Sequence, residues 1–202
     1  MIFQNIECLR LKIRIAEILK KREKGQMQCV MGMFSLLFLA VVLYTQLQIE
    51  SYKASSLYLE DALATSNLAS AVIDLEEFGI SHTIQVKEPL RAYELYCEAV
   101  KENLQLNHNW EGTNESLLSG RVTIEDYVVY NVKENLVTAY RVTGDGQTQE
   151  WQGTLGSVKA PNDIVIEATS IYSEIMFPVE GFMGTVVQAR KGKLVDVVLN
   201  ES

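Results

Sequence analysis

The chain has 202 residues, 48% of them hydrophobic, and its 18 Lys and Arg against 26 Asp and Glu give a formal charge of -8. That size excludes a large multidomain enzyme, the hydrophobic content excludes whole-chain disorder, and the acidic balance disfavours a nucleic-acid binder, which needs a basic face. Three cysteines exclude a disulfide-built scaffold, and two histidines exclude a His-rich metal site.

The averages hide a split. Residues 1–28 carry seven basic and three acidic side chains, a local charge of +4, so the remainder holds -12. Residues 1–24 form a basic segment in which Ile2, Ile6, Leu9, Ile13 and Ala16 recur at helical spacing. Such an amphipathic helix suits an anionic inner leaflet or the cytoplasmic face of a partner. Residues 25–49 then contain no charge. As a helix they would be about 37 Å long, enough to cross a hydrocarbon core of about 30 Å. A signal peptide fits less well, because the basic region is long and no A-x-A-like site follows. The positive-inside rule places the N-terminus in the cytoplasm and everything after Glu50 outside, so the chain is expected in the cell membrane as a single-pass protein.

Residues 50–79 are expected to continue as an extracytoplasmic stalk helix, because no proline or glycine interrupts Glu50 to Phe78 and Gly79 then supplies a stop. Leu57, Ala64, Leu68, Ala71, Leu75 and Phe78 form one apolar stripe on it, the expected packing face, with Asp61 at its wet edge. A second helix starts near Pro89, with Leu90, Tyr93, Cys97, Val100 and Leu104 on one face, which makes Cys97 a core residue. Nine of the twelve glycines lie at or after Gly112. There RVTIED, YVVYNV, LVTAYRV, QEWQG, DIVIEATS, EIMFPVE, GTVVQAR and KLVDVVL read as successive strands. Turns are expected at Gly144–Gly146 and Lys191–Lys193, which implies a mostly antiparallel sheet. Residues 80–202 are thus one α+β extracytoplasmic domain.

No nucleotide-binding, redox, zinc-protease or calcium-loop pattern occurs, so no catalytic, cofactor or metal residue is assigned and the chain is read as non-enzymatic. Asn114-Glu115-Ser116 and Asn200-Glu201-Ser202 match a glycosylation acceptor pattern. Trp110, Trp151, Tyr127, Tyr130, Tyr140 and Tyr172 offer material for a recognition surface, with at least half of them expected in the core.

A basic leader, an apolar helix running into an amphipathic stalk, and then an antiparallel sheet: this order resembles type IV pilins and pseudopilins. It is nearest to the TadE-like minor-pilin group of tight-adherence (Tad) systems. The run Lys20-Lys21-Arg22-Glu23-Lys24-Gly25 is similar to a prepilin leader ending in glycine, and the resemblance implies processing between Gly25 and Gln26. The fifth residue after that junction is Val30, where the family carries a glutamate. The resemblance implies a pilin-like structural or accessory subunit of a bacterial cell-envelope pilus or secretion assembly, acting by helix packing and protein–protein contacts. Its partners would be the lipid bilayer and other subunits, with homo- or hetero-oligomers forming through the N-terminal helix. The competing reading is a membrane-tethered binding module for an external ligand or partner protein.

Overall fold

The computed structural model describes residues 2–114, 116–118, 120–143, 145–180 and 185–198, with the side chains of 2–26 and 180 left aside. The apolar pattern expected on residues 1–24, the side chains at the Gly25–Gln26 junction, Gly144 of the expected turn, Glu115 and the tripeptide at 200–202 lie outside that description. The chain divides into two units, residues 1–53 and 54–202.

The protein is α+β. Helix α1 covers Ile2–Ser70, α2 covers Leu75–Ser81 and α3 covers Pro89–Asn103. The strands are β1 (Thr123–Lys133), β2 (Leu136–Thr143), β3 (Thr148–Thr154), β4 (Ser170–Glu180) and β5 (Val186–Asp196). They form one antiparallel sheet in the order β3-β2-β1-β4-β5.

Helix α1 stops at Ser70, not at Gly79. The reason is a competing partner for the backbone. Ile73 bridges Val86, Asp74 N–H donates to Gln85 O at 2.8 Å, and Lys87 N–H donates to Val72 O at 3.1 Å. The β-branched pair Val72-Ile73 suits this extended stretch. Asp74 then starts α2 as its N-cap, its carboxylate accepting from the N–H groups of Glu76 (3.0 Å) and Glu77 (3.1 Å). His82, with φ 55°, ends α2, so Gly79 is an interior helical residue.

The sheet buries both faces. Toward the helices it presents Tyr127, Val129, Ile171 and Ile175, which pack with Leu59, Leu63, Ala92, Tyr96 and Val100. A bulge between Ile124 and Asp126 lets Ile124 and Tyr127, three residues apart, share that face. On the opposite face Val128, Tyr130, Val137, Ala139 and Tyr172 are covered by Ala160 and Ile166 from the β3–β4 connection. That cover corrects the strand expected at DIVIEATS. The segment makes one isolated bridge, Lys159 to Val165, and its last residue, Ser170, opens β4.

The remaining differences come from continuity. RVTIED and YVVYNV merge into β1, and GTVVQAR and KLVDVVL merge into β5. Lys191-Gly192-Lys193 is therefore mid-strand and not a turn: Lys191, Gly192 and Lys193 pair with Ile175, Glu174 and Ser173. The β2–β3 connection does hold the expected Gly146, at φ +80°. In α3, Val100 and Leu104 are buried as expected, with Tyr93 and Cys97 at the core margin. Leu90 is 60% exposed, and Ala92 and Tyr96 take the buried positions instead.

Candidate functional surfaces

The most unusual surface in the first unit is apolar. Between Met27 and Ile49, fourteen large hydrophobic side chains are each more than half exposed, among them Phe34 at 69% and Phe38 at 71%. Three of the polar side chains there are bonded to the helix itself. Ser35 Oγ donates to Met31 O (3.0 Å), Thr45 Oγ1 to Val42 O (2.8 Å), and Gln48 Nε2 to Tyr44 Oη (3.0 Å). A helix that satisfies its polar groups internally and turns hydrocarbon outward is suited to an apolar solvent. This part of α1 is long and apolar enough to cross a membrane. Gly25 and Gln26, the expected processing junction, lie within α1. The first charges after this apolar stretch, Glu50 and Lys53, pair at 2.9 Å on an exposed turn of the helix.

In the second unit, the C-terminal part of α1 is fixed to the sheet by a face that apolar periodicity does not reveal. Leu59, Ala62, Leu63, Ser66, Asn67 and Ser70 are buried. Leu57 and Leu68 of the expected stripe are 62% and 51% exposed, and Leu75 on α2 is 77% exposed. Ala64 is half-buried, Ala71 packs at the core margin, and Phe78 stacks edge-on with His82. The stripe is thus not the face that α1 buries against its own sheet. Asp61 is exposed, as expected of a wet edge.

The true docking face is half polar, and its donors find specific partners, while the buried Asn67 Oδ1 has none among the described residues. Asn67 Nδ2 donates to Lys193 O (3.0 Å) on β5 and to Ile171 O (3.3 Å) on β4. Ser70 Oγ and Tyr127 Oη are 2.9 Å apart. Asn103 Nδ2 donates to Ser66 Oγ (2.9 Å), while Tyr58 Oη donates to Asn103 O (2.6 Å). Outside this core Lys191 Nζ bonds Glu60 (2.6 Å) and Ser56 Oγ (3.0 Å), and the lysine holds the Glu60 carboxyl below its ordinary range. These bonds give α1 one register on β4 and β5, which a greasy stripe alone would not.

The titratable groups in the core serve structure. Burial pushes the Tyr93 and Tyr130 hydroxyls up to about 12 and also raises Tyr96, Tyr127 and Tyr172, so every one is a neutral phenol at pH 7. Burial raises the Cys97 thiol as well, which suppresses thiolate reactivity. On the second sheet face Asp126, 4% exposed, accepts two bonds of 2.7 Å from Arg141 Nε and Nη2. Among the described residues, no three His, Cys, Asp or Glu side chains converge on a point that could hold a metal.

Of the six aromatics singled out, Tyr127, Tyr130 and Tyr172 are buried. Trp110 packs at the core margin under the Lys101 ammonium, 4.4 Å from its ring centre. Trp151, 37% exposed, stands on β3 against Tyr130 with ring centres 6.4 Å apart. On the other side of that sheet edge, a groove of about 320 Å³ is lined by Pro89, Leu90, Tyr140 and Glu150. Comparison with protein-family models, curated proteins and solved structures returns no match.

Proposed function

We propose that the protein is a single-pass, membrane-anchored, pilin-like structural or accessory subunit of a bacterial cell-envelope pilus or secretion assembly. The observation that carries the reading is the bare apolar stretch of α1. Leaving fourteen large hydrophobic side chains in water forfeits on the order of 20 kcal/mol, at about 1.5 kcal/mol each. Lipid, or the helices of other subunits, must cover them. The same helix ends in the buried face that docks on an antiparallel sheet, so a membrane segment and a folded α+β unit share one element. The +4 charge of residues 1–28 against -12 for the rest supports an N-terminus in the cytoplasm and an extracytoplasmic α+β unit. The polar bonds at Asn67, Ser70 and Lys191 suit a subunit that works by packing.

Two measurements in native membranes test this. Intact mass of the mature protein separates the two forms of the proposal. A species beginning at Gln26 supports a processed pilin, and one retaining Met1 leaves an uncleaved accessory subunit, which accords with Val30. Topology is tested by a Val198→Cys variant in a background without native cysteines, Val198 being 65% exposed. A membrane-impermeant maleimide should label it in intact cells from which any outer membrane has been stripped. Labelling only after permeabilisation overturns the orientation, and recovery of the protein in the carbonate-soluble fraction overturns the anchoring.

The tethered binding module is the second reading. It is supported by the groove at Leu90 and Tyr140, where a 60% exposed leucine faces an open sheet edge.

A further inference from the structure

We propose that the α+β unit pairs with a second copy of this chain through strand β3, edge to edge and antiparallel, about a two-fold axis at Trp151. The inference goes beyond the anchoring and does not depend on the pilin-like reading. It starts from an asymmetry between the two ends of the sheet. The β5 edge is partly guarded: Lys191 is held by Glu60 and Ser56, Asn67 bonds Lys193 O, and Arg190, Lys191 and Lys193 add charges of the kind that protect free edges, although Val186, Val187 and Gln188 are exposed. Strand β3 has no such protection. It pairs only with β2 among the described residues, all of it except Gly153 is exposed, and its one charge is Glu150.

The register shows which backbone groups are open. Thr143 N–H donates to Gln147 O (2.9 Å) and Leu155 N–H to Asn135 O (3.0 Å), one at each end of the β2–β3 ladder. The pairing between them runs without a slip, from Val142 with Thr148 to Leu136 with Thr154. Hydrogen-bonding direction alternates along a strand, so Gln149, Trp151 and Gly153 turn their backbone groups to β2. Thr148, Glu150, Gln152 and Thr154 turn theirs outward. The carbonyl of Thr154 is taken by Ser157 N–H at 3.0 Å, and among the described residues no backbone partner takes the other outward groups.

The sequence of this edge is self-complementary. About Trp151 the strand Thr148–Thr154 sets threonine against threonine, tryptophan against tryptophan and glutamate against glutamine, with Gln149 against Gly153. With the dyad there, Glu150 meets Gln152 of the partner subunit in a hydrogen-bonded position, and Thr148 meets Thr154 of the partner subunit at the next one, where the Thr154 N–H is open and its carbonyl is held by Ser157. The two Trp151 side chains meet at a non-hydrogen-bonded position, where Cα atoms are about 4.5 Å apart and aromatic pairs contribute most. Moving the dyad to Glu150 sets two carboxylates opposite each other. Moving it to Gln152 sets each tryptophan against a glycine. The charge pattern and the aromatic pair therefore select one register.

The test uses the full chain in detergent micelles with Cys8, Cys29 and Cys97 replaced by serine. Trp151→Cys should give about tenfold more disulfide-linked dimer than Val187→Cys on the opposite edge, because a non-hydrogen-bonded pair meets disulfide geometry. Adding Gln152→Pro, which removes an outward N–H and no bond to β2, should abolish that cross-link with the circular dichroism unchanged. Sedimentation of the chain with Trp151 intact provides an independent readout. Gln152→Glu sets carboxylates face to face and should lower the dimer fraction about fivefold, and combining it with Glu150→Lys should restore it. Equal cross-linking at both edges, no cross-link at 151 in a folded chain, or a dimer fraction indifferent to the charge exchange overturns the proposal.

Discussion

Gly192 lies directly beneath the Tyr172 phenol: a Cβ at position 192 would fall on the hydroxyl and within 2.9 Å of Cζ. The hydroxyl is held there by donating to Glu174 Oε2 at 2.7 Å, and Glu174 is the cross-strand partner of Gly192. The glycine between two lysines is thus a seat for a buried ring and not a turn residue. Gly192→Ala should cost about 1–3 kcal/mol through overpacking, read as a lower midpoint in denaturant unfolding. Tyr172→Phe in the same chain should recover part of the loss, since the closest atom is gone. A fully additive double mutant would show that the two residues do not meet.

Asn67 is the second pivot. Its amide reaches carbonyls on both β4 and β5 from a fully buried position on α1. Asn67→Leu leaves those carbonyls without this donor and should destabilise the α+β unit by about 1–3 kcal/mol, although leucine is the more hydrophobic residue. Thermal unfolding followed by near-ultraviolet circular dichroism checks it. A variant as stable as the wild type would remove the polar latch from the account.

The correction to the apolar stripe can be tested by charge insertion. Leu68 is half exposed and Leu63 is completely buried, five residues apart on one helix. Leu68→Asp should change stability by no more than about 0.5 kcal/mol, as surface substitutions do. Leu63→Asp buries an unpaired carboxylate and should prevent folding of the unit. Limited proteolysis separates the two outcomes, and equal sensitivity would return Leu68 to the packing face.

Acid should loosen the docking of α1 on β5. The Glu60 carboxyl is held below its ordinary value of 4.5, first by its hydrogen bond to Lys191 and then by that lysine's charge. A depressed carboxylate contributes stability above its unfolded pKa and loses it as pH falls through the lower, folded value. The stability difference between wild type and Glu60→Gln should therefore be constant at neutral pH and shrink below about pH 4.5. Chemical unfolding at a series of pH values measures it. A difference that persists at pH 2 would exclude this ion pair as its source.

Much of the architecture was legible because it depends on local rules. Twenty-five uncharged residues, Pro89 at a helix start, Gly146 in a hairpin and β-branched runs each act through nearest neighbours, and each sits where the sequence places it. The second sheet face was not legible, because Ala160 and Ile166 cover it from a connection whose apolar residues look like those of a strand. The docking face of α1 was hidden for a different reason. Ser66, Asn67 and Ser70 read as solvent-facing until Ser66 and Ser70 find Asn103 and Tyr127, and Asn67 finds the carbonyls of Ile171 and Lys193, residues 37 to 126 positions away.

The sequence by itself determined the α+β class, the single long apolar segment and the separation of basic from acidic charge, since composition and short-range periodicity encode all three. Only the tertiary structure decided where α1 ends, which of its faces is buried and why Gly192 is a glycine. Those outcomes rest on pairings between distant residues: Ile73 with Val86, Asn67 with two strands, and Tyr172 over Gly192. The polar donors on the buried face of α1 are inside because the fold brings them partners, and no local pattern records those partners.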